Sequence, residues 1–229
     1  MFFSMIRLNR NASPRDIASL MKGDGYQVHR MVWNLFTDSP ARQRDFVYRL
    51  DENGNSPTIY TLSSRPPEHT GDIWNIETKN YDPKITDGNR FSFILRANAV
   101  VTKKPYTPDE NPKKRKRHDV VMEAVMQLRK SGEDGPPKAS IVQEEGVKWL
   151  KWKAEKRGFF FESSSDVCVD SYQQHSFSKS KGDGLVKFST FDFRGVLTVK
   201  DSTLFLEALY KGIGSAKGFG CGMLLIRRV

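Results

Sequence analysis

Cysteine is scarce in this chain of 229 residues: Cys168 and Cys221 are its only two, and they lie far apart. They make neither a disulfide framework nor a zinc ligand set. Histidine is scarce too; His29, His69, His118 and His175 show no metal-ligand spacing to one another. No stretch approaches the ~18 consecutive apolar residues of a membrane-spanning helix. Phe2 and Phe3 are followed so soon by Arg7 and Arg10 that the apolar run of a signal peptide is missing. No cluster of Asp and Glu suggests a two-metal nuclease site. The expectation is a soluble intracellular protein with no metal, no cofactor and no membrane partner.

Apolar residues are not scarce. They make up 38% of the chain and aromatics 11%, with 15 Phe and 4 Trp, which excludes a fully disordered chain. The length allows one large domain or two small ones.

Positive charge is also plentiful, since 37 Lys and Arg against 27 Asp and Glu give a formal net charge of +10. Residues 103–117 hold seven basic and two acidic side chains, a net of +5. Residues 148–157, which include Lys148 and Lys151, net +4, and so do residues 211–229; the remainder of the chain nets −3. An excess gathered in a few places makes a focused positive field, and phosphate backbones are the usual partner of such a field. Acidic lipid and acidic protein surfaces remain alternatives. The run Lys113, Lys114, Arg115, Lys116 and Arg117 has three readings: a nuclear-import pattern, a solvated loop, or an arm laid on phosphates. Pro105, Pro108 and Pro112 precede it and argue against regular structure.

Residues 5–9 read as a strand, 13–22 as a helix with Ser13 as cap and Pro14 in its first turn, and 26–36 as a second helix. Strands are expected over 46–50 and 58–62 around an Asn53-Gly54 turn, then over 73–81 and 90–102. A helix over 119–130 and another over 143–157 follow. Strands over 159–169 and 185–199 flank a polar hairpin, 171–184, which carries Lys179 and Lys181. Asp201 caps a helix to about Lys211, and 223–227 closes the chain as a strand. The first half reads β-α-β-β-β, and the second half, taken with the strand at 90–102, approximates β-α-β-β-α-β, the split βαβ unit, so two such units in tandem are expected. The expected fold class is therefore α+β, with two tandem ferredoxin-like (RRM-like) domains, antiparallel sheets and helices on one face. The first domain spans 1–102, a basic linker or insertion 103–140, and the second domain 141–229, drawing also on the strand at 90–102.

Two segments carry candidate chemistry. In GYQVHRMVWNLF, residues 25–36, Val28, Met31, Val32 and Leu35 fall on one helical side, while Tyr26, His29, Arg30 and Trp33 fall on the other. Tyr26 and His29 are three apart and so are neighbours on that surface, where both can handle protons. The alternative is a surface His beside an interface aromatic. In the tail, Gly212, Gly214, Gly218 and Gly220 surround Lys217. Glycines with a lysine permit close backbone approach to a phosphate, although no Lys-Ser/Thr pair makes this a Walker loop. The alternative is a tight turn from helix to strand. A His/Tyr site without metal points to RNA, because the 2′-hydroxyl beside the scissile phosphate supplies an internal nucleophile that DNA lacks.

At these segments the chain resembles the CasE family, the repeat-processing endoribonucleases of type I-E CRISPR Cascade complexes. The likeness rests on Tyr26 and His29, on Leu95-Arg96-Ala97-Asn98-Ala99, on Gly195-Val196-Leu197-Thr198-Val199, and on Gly212 to Lys217 running into Phe219-Gly220-Cys221-Gly222. The resemblance implies tandem ferredoxin-like domains that bind a CRISPR repeat hairpin and cut at the 3′ base of its stem. It implies His29 as general base or acid on the 2′-hydroxyl, Tyr26 as its partner, and a glycine-rich loop with Lys217 on the RNA backbone. It also implies that the 171–184 hairpin enters the major groove. Other Cascade subunits would be partners, target DNA would be met only through the complex, and the compartment would be the prokaryotic cytoplasm. A non-catalytic RNA-hairpin-binding subunit is the alternative.

Overall fold

The computed structural model describes residues 1–9, 12, 13, 15, 25–36, 44–52, 57–68, 73–103, 116–132, 135–178 and 185–229. The helix expected over 13–22 lies, but for Ser13 and Arg15, outside the described residues, as does the Asn53-Gly54 turn.

The first half builds one sheet from β1 (Phe2–Leu8), β2 (Phe46–Asp51), β3 (Thr58–Ser63) and β4 (Trp74–Asn80), in the order β2-β3-β1-β4. Every pairing is antiparallel, with Ile6 opposite Ile59 and Ile76. Helix α1 (Gly25–Asn34) covers one face: Val28 and Val32, with Leu35 and Phe36 just beyond its end, pack on Ile6, Ile59, Phe46 and Tyr48. The opposite face is covered as well, because Val47 and Leu62 pack with Met223 and Tyr210 of the second half. Burial on both faces explains why Phe46, Val47, Tyr48 and Arg49 are buried in succession, where a one-sided strand would alternate.

The second half repeats the plan. Its sheet contains β5 (Arg90–Ala97), β8 (Phe159–Phe160), β9 (Val167–Ser178), β10 (Leu185–Val199) and β11 (Leu224–Arg228). The order is β11-β5-β10, with β8 and β9 both along the far side of β10. In β5 the alternate residues Phe91, Phe93, Leu95 and Ala97 turn inward. They meet Val147 and Leu150 of α3 (Lys138–Glu155) and Phe205 and Leu209 of α4 (Ser202–Lys211) in one core. Asp201 caps α4, accepting from the backbone N–H of Leu204 at 2.9 Å. Both sheets thus share the fourth-first-third-second strand order of the ferredoxin-like fold.

Three expectations need correction. The basic stretch read as structureless yields β7 (Lys116–Asp119), which pairs with β6 (Val100–Lys103) and leads into α2 (Val120–Ser131). Beyond Pro112 no further proline denies the ladder its N–H groups. The strand expected over 159–169 is broken after Phe160 by a 3-10 turn, Ser164–Asp166, where the Ser163 and Asp166 side chains cap each other's backbone. Trp33, placed on the outer side of its helix, packs edge-on against Phe46 at 5.4 Å between ring centres.

The halves are joined by charge as well as apolar contact. Arg96 of β5 grips Asp192 of β10 with two 2.9 Å hydrogen bonds and donates a third, 3.2 Å, to the Leu50 carbonyl of the first sheet. Arg49 of β2 approaches the same carboxylate at 3.6 Å. A paired carboxylate between two guanidinium groups fixes the register of one half on the other.

Candidate active site

The segment between α4 and β11 crosses from the second half onto the first. It tightens into a 3-10 turn, Lys217–Phe219, which rests on α1 and β2. Here the Gly218 carbonyl accepts two hydrogen bonds, one from His29 Nδ1 at 2.6 Å and one from the Tyr48 hydroxyl at 2.8 Å. A carbonyl can only accept, so in the neutral ring Nδ1 carries the hydrogen and Nε2 carries the lone pair. Burial lowers the pKa of His29; the Gly218 carbonyl opposes this and the nearby Arg44 guanidinium reinforces it. The ring is therefore mainly neutral at pH 7. Burial raises the Tyr48 hydroxyl well above its usual range, so it remains a donor.

Phe219, next in the turn, sits among rings from both halves. His29 lies 5.6 Å away, Phe188 stacks at 5.3 Å, and Phe177 meets it edge-on at 5.3 Å. Phe177 and Phe188 lie near the loop end of the long β9–β10 ribbon, so that end of the ribbon is seated on the turn that holds His29. A cleft of about 300 Å³ opens there, lined by Val28, Tyr48, His175, Phe188, Phe219 and Gly220 among others.

The glycines divide by role. Gly218 faces the imidazole: a Cβ there would lie 3.4 Å from His29 Nδ1 and Cε1. Gly212, Gly214 and Gly220 have positive φ, and added Cβ atoms would press on the Gly222 carbonyl, the Trp149 ring and the Tyr48 ring respectively. Lys217 donates from Nζ to the Lys211 carbonyl at 2.5 Å, at the C-terminal end of α4. Burial first, and then Arg44, Arg157, Lys153 and Lys211, bring its ammonium down to about 8.

The remaining candidates are scattered. Tyr26 stands in the first turn of α1, and its side chain lies outside the described residues, as do Lys113, Lys114, Arg115, Lys179 and Lys181. Lys116 and Arg117 are exposed on β7. Lys148 is held by Glu144 at 2.7 Å and Glu145 at 2.9 Å, and Lys151 bonds the Ser164 hydroxyl at 2.7 Å. Among the described residues, no three His, Cys, Asp or Glu side chains converge as metal ligands, and no helix is long and apolar enough to cross a membrane.

Sequence reasoning missed Tyr48 and Arg44. Tyr48 looks like any core residue of a β-strand, and only the packing of the two halves brings its hydroxyl to Gly218. The glycine-rich tail did carry a signal, since Gly212, Gly214, Gly218 and Gly220 with Lys217 exceed what a plain turn needs.

Comparison with known proteins agrees with this fold. A family described as CRISPR associated protein matches residues 1–228. The Cascade subunit CasE of Escherichia coli K12 is 28% identical over 212 residues, covering 91% of this chain and 94% of that protein. A CRISPR endoribonuclease Cse3 bound to a 19-nucleotide RNA superposes with a TM-score of 0.73 at 21% identity, over 99% of this chain and 100% of that one. Thermus thermophilus Cse3, bound to an RNA representing a pre-cleavage complex, superposes with a TM-score of 0.69 at 20% identity, over 99% of this chain and 98% of that one.

Proposed function

The chain belongs to the CasE family of CRISPR-associated proteins, and from that premise we propose that it is a metal-independent endoribonuclease. It binds the hairpin of a CRISPR repeat, cuts precursor RNA at the 3′ base of the stem, and stays on the guide RNA as a Cascade subunit. It works beside the other subunits in the prokaryotic cytoplasm and meets target DNA only through the complex. The observation that carries this reading is the 2.6 Å contact between His29 Nδ1 and the Gly218 carbonyl. It orients a neutral imidazole on the non-core side of α1, beside Phe219, whose ring lines the neighbouring cleft.

In this mechanism the 2′-hydroxyl attacks the adjacent phosphorus while Nε2 of His29 takes its proton. The P–O5′ bond breaks, and the 5′-oxygen leaves with a proton supplied from Tyr26. The products are a 2′,3′-cyclic phosphate and a 5′-hydroxyl. General acid–base catalysis of this kind contributes about 10²–10⁴-fold. The glycine-rich segment lays the backbone near His29, and Gly218, having no side chain, leaves the ring accessible. Lys116, Arg117 and the other basic side chains of 113–117, together with Lys179 and Lys181, supply phosphate contacts.

The test is single-turnover cleavage of a repeat stem-loop by the wild-type chain and by His29→Ala, each in excess EDTA. The expected result is full wild-type activity in EDTA and a rate at least 10²-fold lower for the variant. Dependence on added metal, or full activity of the variant, would overturn the mechanism. Tight binding of the stem-loop with no cutting by the wild-type chain would leave an RNA-binding subunit in its place.

A further inference from the structure

A second groove, of about 620 Å³, runs along the other side of the glycine-rich segment. Its lining includes Arg117 of β7, Trp149, Trp152 and Lys153 of α3, and Gly214 and Ser215 of the loop. A narrower cleft between β7, β10 and the loop shares Arg117 and Ser215 with this groove and includes Phe219. The cleft lined by Tyr48 and His175 includes Phe219 too, so the grooves follow one another around the loop 214–219.

The chemistry of the groove is basic and aromatic. Trp152 is 47% exposed, on a helix whose neighbouring Trp149 and Leu150 are buried. Two ammonium groups, Lys153 Nζ and Lys156 Nζ, lie 4.4 and 4.2 Å from the centre of its ring. Lys153 feels Arg157 and Lys156 as like charges, and it is one of four cations that Lys217 feels in the same way. Cations crowded together are relieved by an anion. An exposed indole beside them offers a π-face to a nucleobase, which stacks on it whatever its sequence. Lysine stems are long and flexible, so the two ammonium groups can swing from the indole to phosphates when a base arrives.

A folded protein partner would more often meet an aromatic patch depleted of lysine, and a membrane surface offers no planar ring to an indole. We propose that this groove binds single-stranded RNA contiguous with the stem. In it an unpaired nucleobase stacks on Trp152, and Lys153, Lys156 and Arg117 hold the adjoining phosphates. The proposal rests on the reading of the chain as a repeat-RNA endoribonuclease and adds a subsite for the flank of the stem.

The experiment measures binding of three RNAs that carry a 2′-deoxy nucleotide at the cut, so that none is cleaved: the bare stem-loop, and the stem-loop with either a 5′ or a 3′ unpaired extension. Wild-type chain, Trp152→Ala and Trp152→Phe are compared at one salt concentration. The expected result is that one extension tightens wild-type binding, that Trp152→Ala loses this gain by about ten-fold, and that Trp152→Phe keeps most of it. All three proteins bind the bare stem-loop alike, and single-turnover cleavage of an all-ribose repeat RNA at saturating protein is unchanged by either substitution. The proposal is overturned if neither extension tightens wild-type binding, if Trp152→Ala binds extended RNA as wild type does, or if it weakens bare and extended RNA equally. Failure of the wild-type chain to bind the bare stem-loop would overturn the underlying reading instead, and the proposal with it.

Discussion

Two part-buried imidazoles lie on either side of the Phe219 ring cluster, and they differ in what holds them. His29, on α1 of the first half, is bonded through Nδ1 to a backbone carbonyl. His175, on the ribbon of the second half, stacks on Phe188 at 4.9 Å and shares a 2.8 Å hydrogen bond between Nε2 and the Thr190 hydroxyl. Burial lowers both pKa values, so protonation state does not separate them. The partner does. A carbonyl fixes which nitrogen bears the hydrogen, whereas a hydroxyl can donate or accept and fixes nothing. Only the imidazole with a fixed tautomer presents a defined lone pair to a substrate. A low pKa alone is therefore a poor guide to which histidine is poised to take a proton.

The sharpest break of this comparison is paired substitution. His29→Ala is expected to lower single-turnover cleavage by about 10²–10⁴-fold, and His175→Ala by less than about three-fold, since it removes a ring contact and no proton carrier. Equal losses would show that the carbonyl contact confers nothing special. Replacement within the glycine segment separates site from scaffold next. Gly214→Ala forces a side chain into φ +88 with its Cβ 3.2 Å from the Trp149 ring. This costs about 1–3 kcal/mol, read as a Tm several degrees lower. Gly218→Ala leaves Tm nearly unchanged, because its φ is ordinary and its Cβ would only touch the ring, at 3.4 Å from Nδ1 and Cε1, yet it slows cleavage about ten-fold by setting a methyl beside the imidazole where RNA must approach (part of the ~10²–10⁴-fold above). A Tm drop at both positions, with equal rates, would erase the distinction.

A smaller effect is expected at Tyr48→Phe, which keeps the buried ring and removes one of the two donors to Gly218. The loss of one hydrogen bond costs about 0.5–1.5 kcal/mol in denaturant unfolding. The carbonyl loses its second restraint, so the pH–rate profile shifts while KM for RNA does not. An unchanged profile would leave Tyr48 a core residue only. The smallest effect concerns pH. Both His29 and His175 have folded-state pKa values below the ordinary 6.5, so the unfolded chain binds more protons as pH falls. Their contribution to stability is present above pH 6.5 and is lost on acidification through the lowered values. Thermal unfolding from pH 8 to 5 checks this: the decline should be shallower in either alanine variant, and a decline equally steep in both would rule the two rings out as its source.

Much of this arrangement was legible in the sequence. The Asp201 cap, the end of α4 at Lys211 and the alternation of Phe91, Phe93 and Leu95 are local patterns, and the folded chain follows them. The pairing of a His-bearing helix with a glycine-rich tail was legible as a resemblance. Local pattern could not show that Gly218 alone among the glycines faces the ring while Gly214 packs on Trp149, because both read as the same residue in the same loop. Tyr48 was illegible for a related reason. Its hydroxyl meets Gly218 across 170 positions of sequence, and no periodicity of β2 marks one buried tyrosine as a donor. Trp33 was misplaced because helical sidedness counts only the periodicity of the helix, whereas its ring reaches Phe46 of the first sheet.

The central claim is that Gly218 holds His29 as a neutral base with its lone pair on Nε2. Nitrogen NMR of the ¹⁵N-histidine-labelled chain, titrated between pH 5 and 8, tests it most directly. The account predicts a His29 ring that is neutral at pH 7, with a protonated Nδ1 and an unprotonated Nε2, and a titration midpoint below 6.5. A ring protonated on Nε2 alone, or still an imidazolium at pH 7, would contradict it.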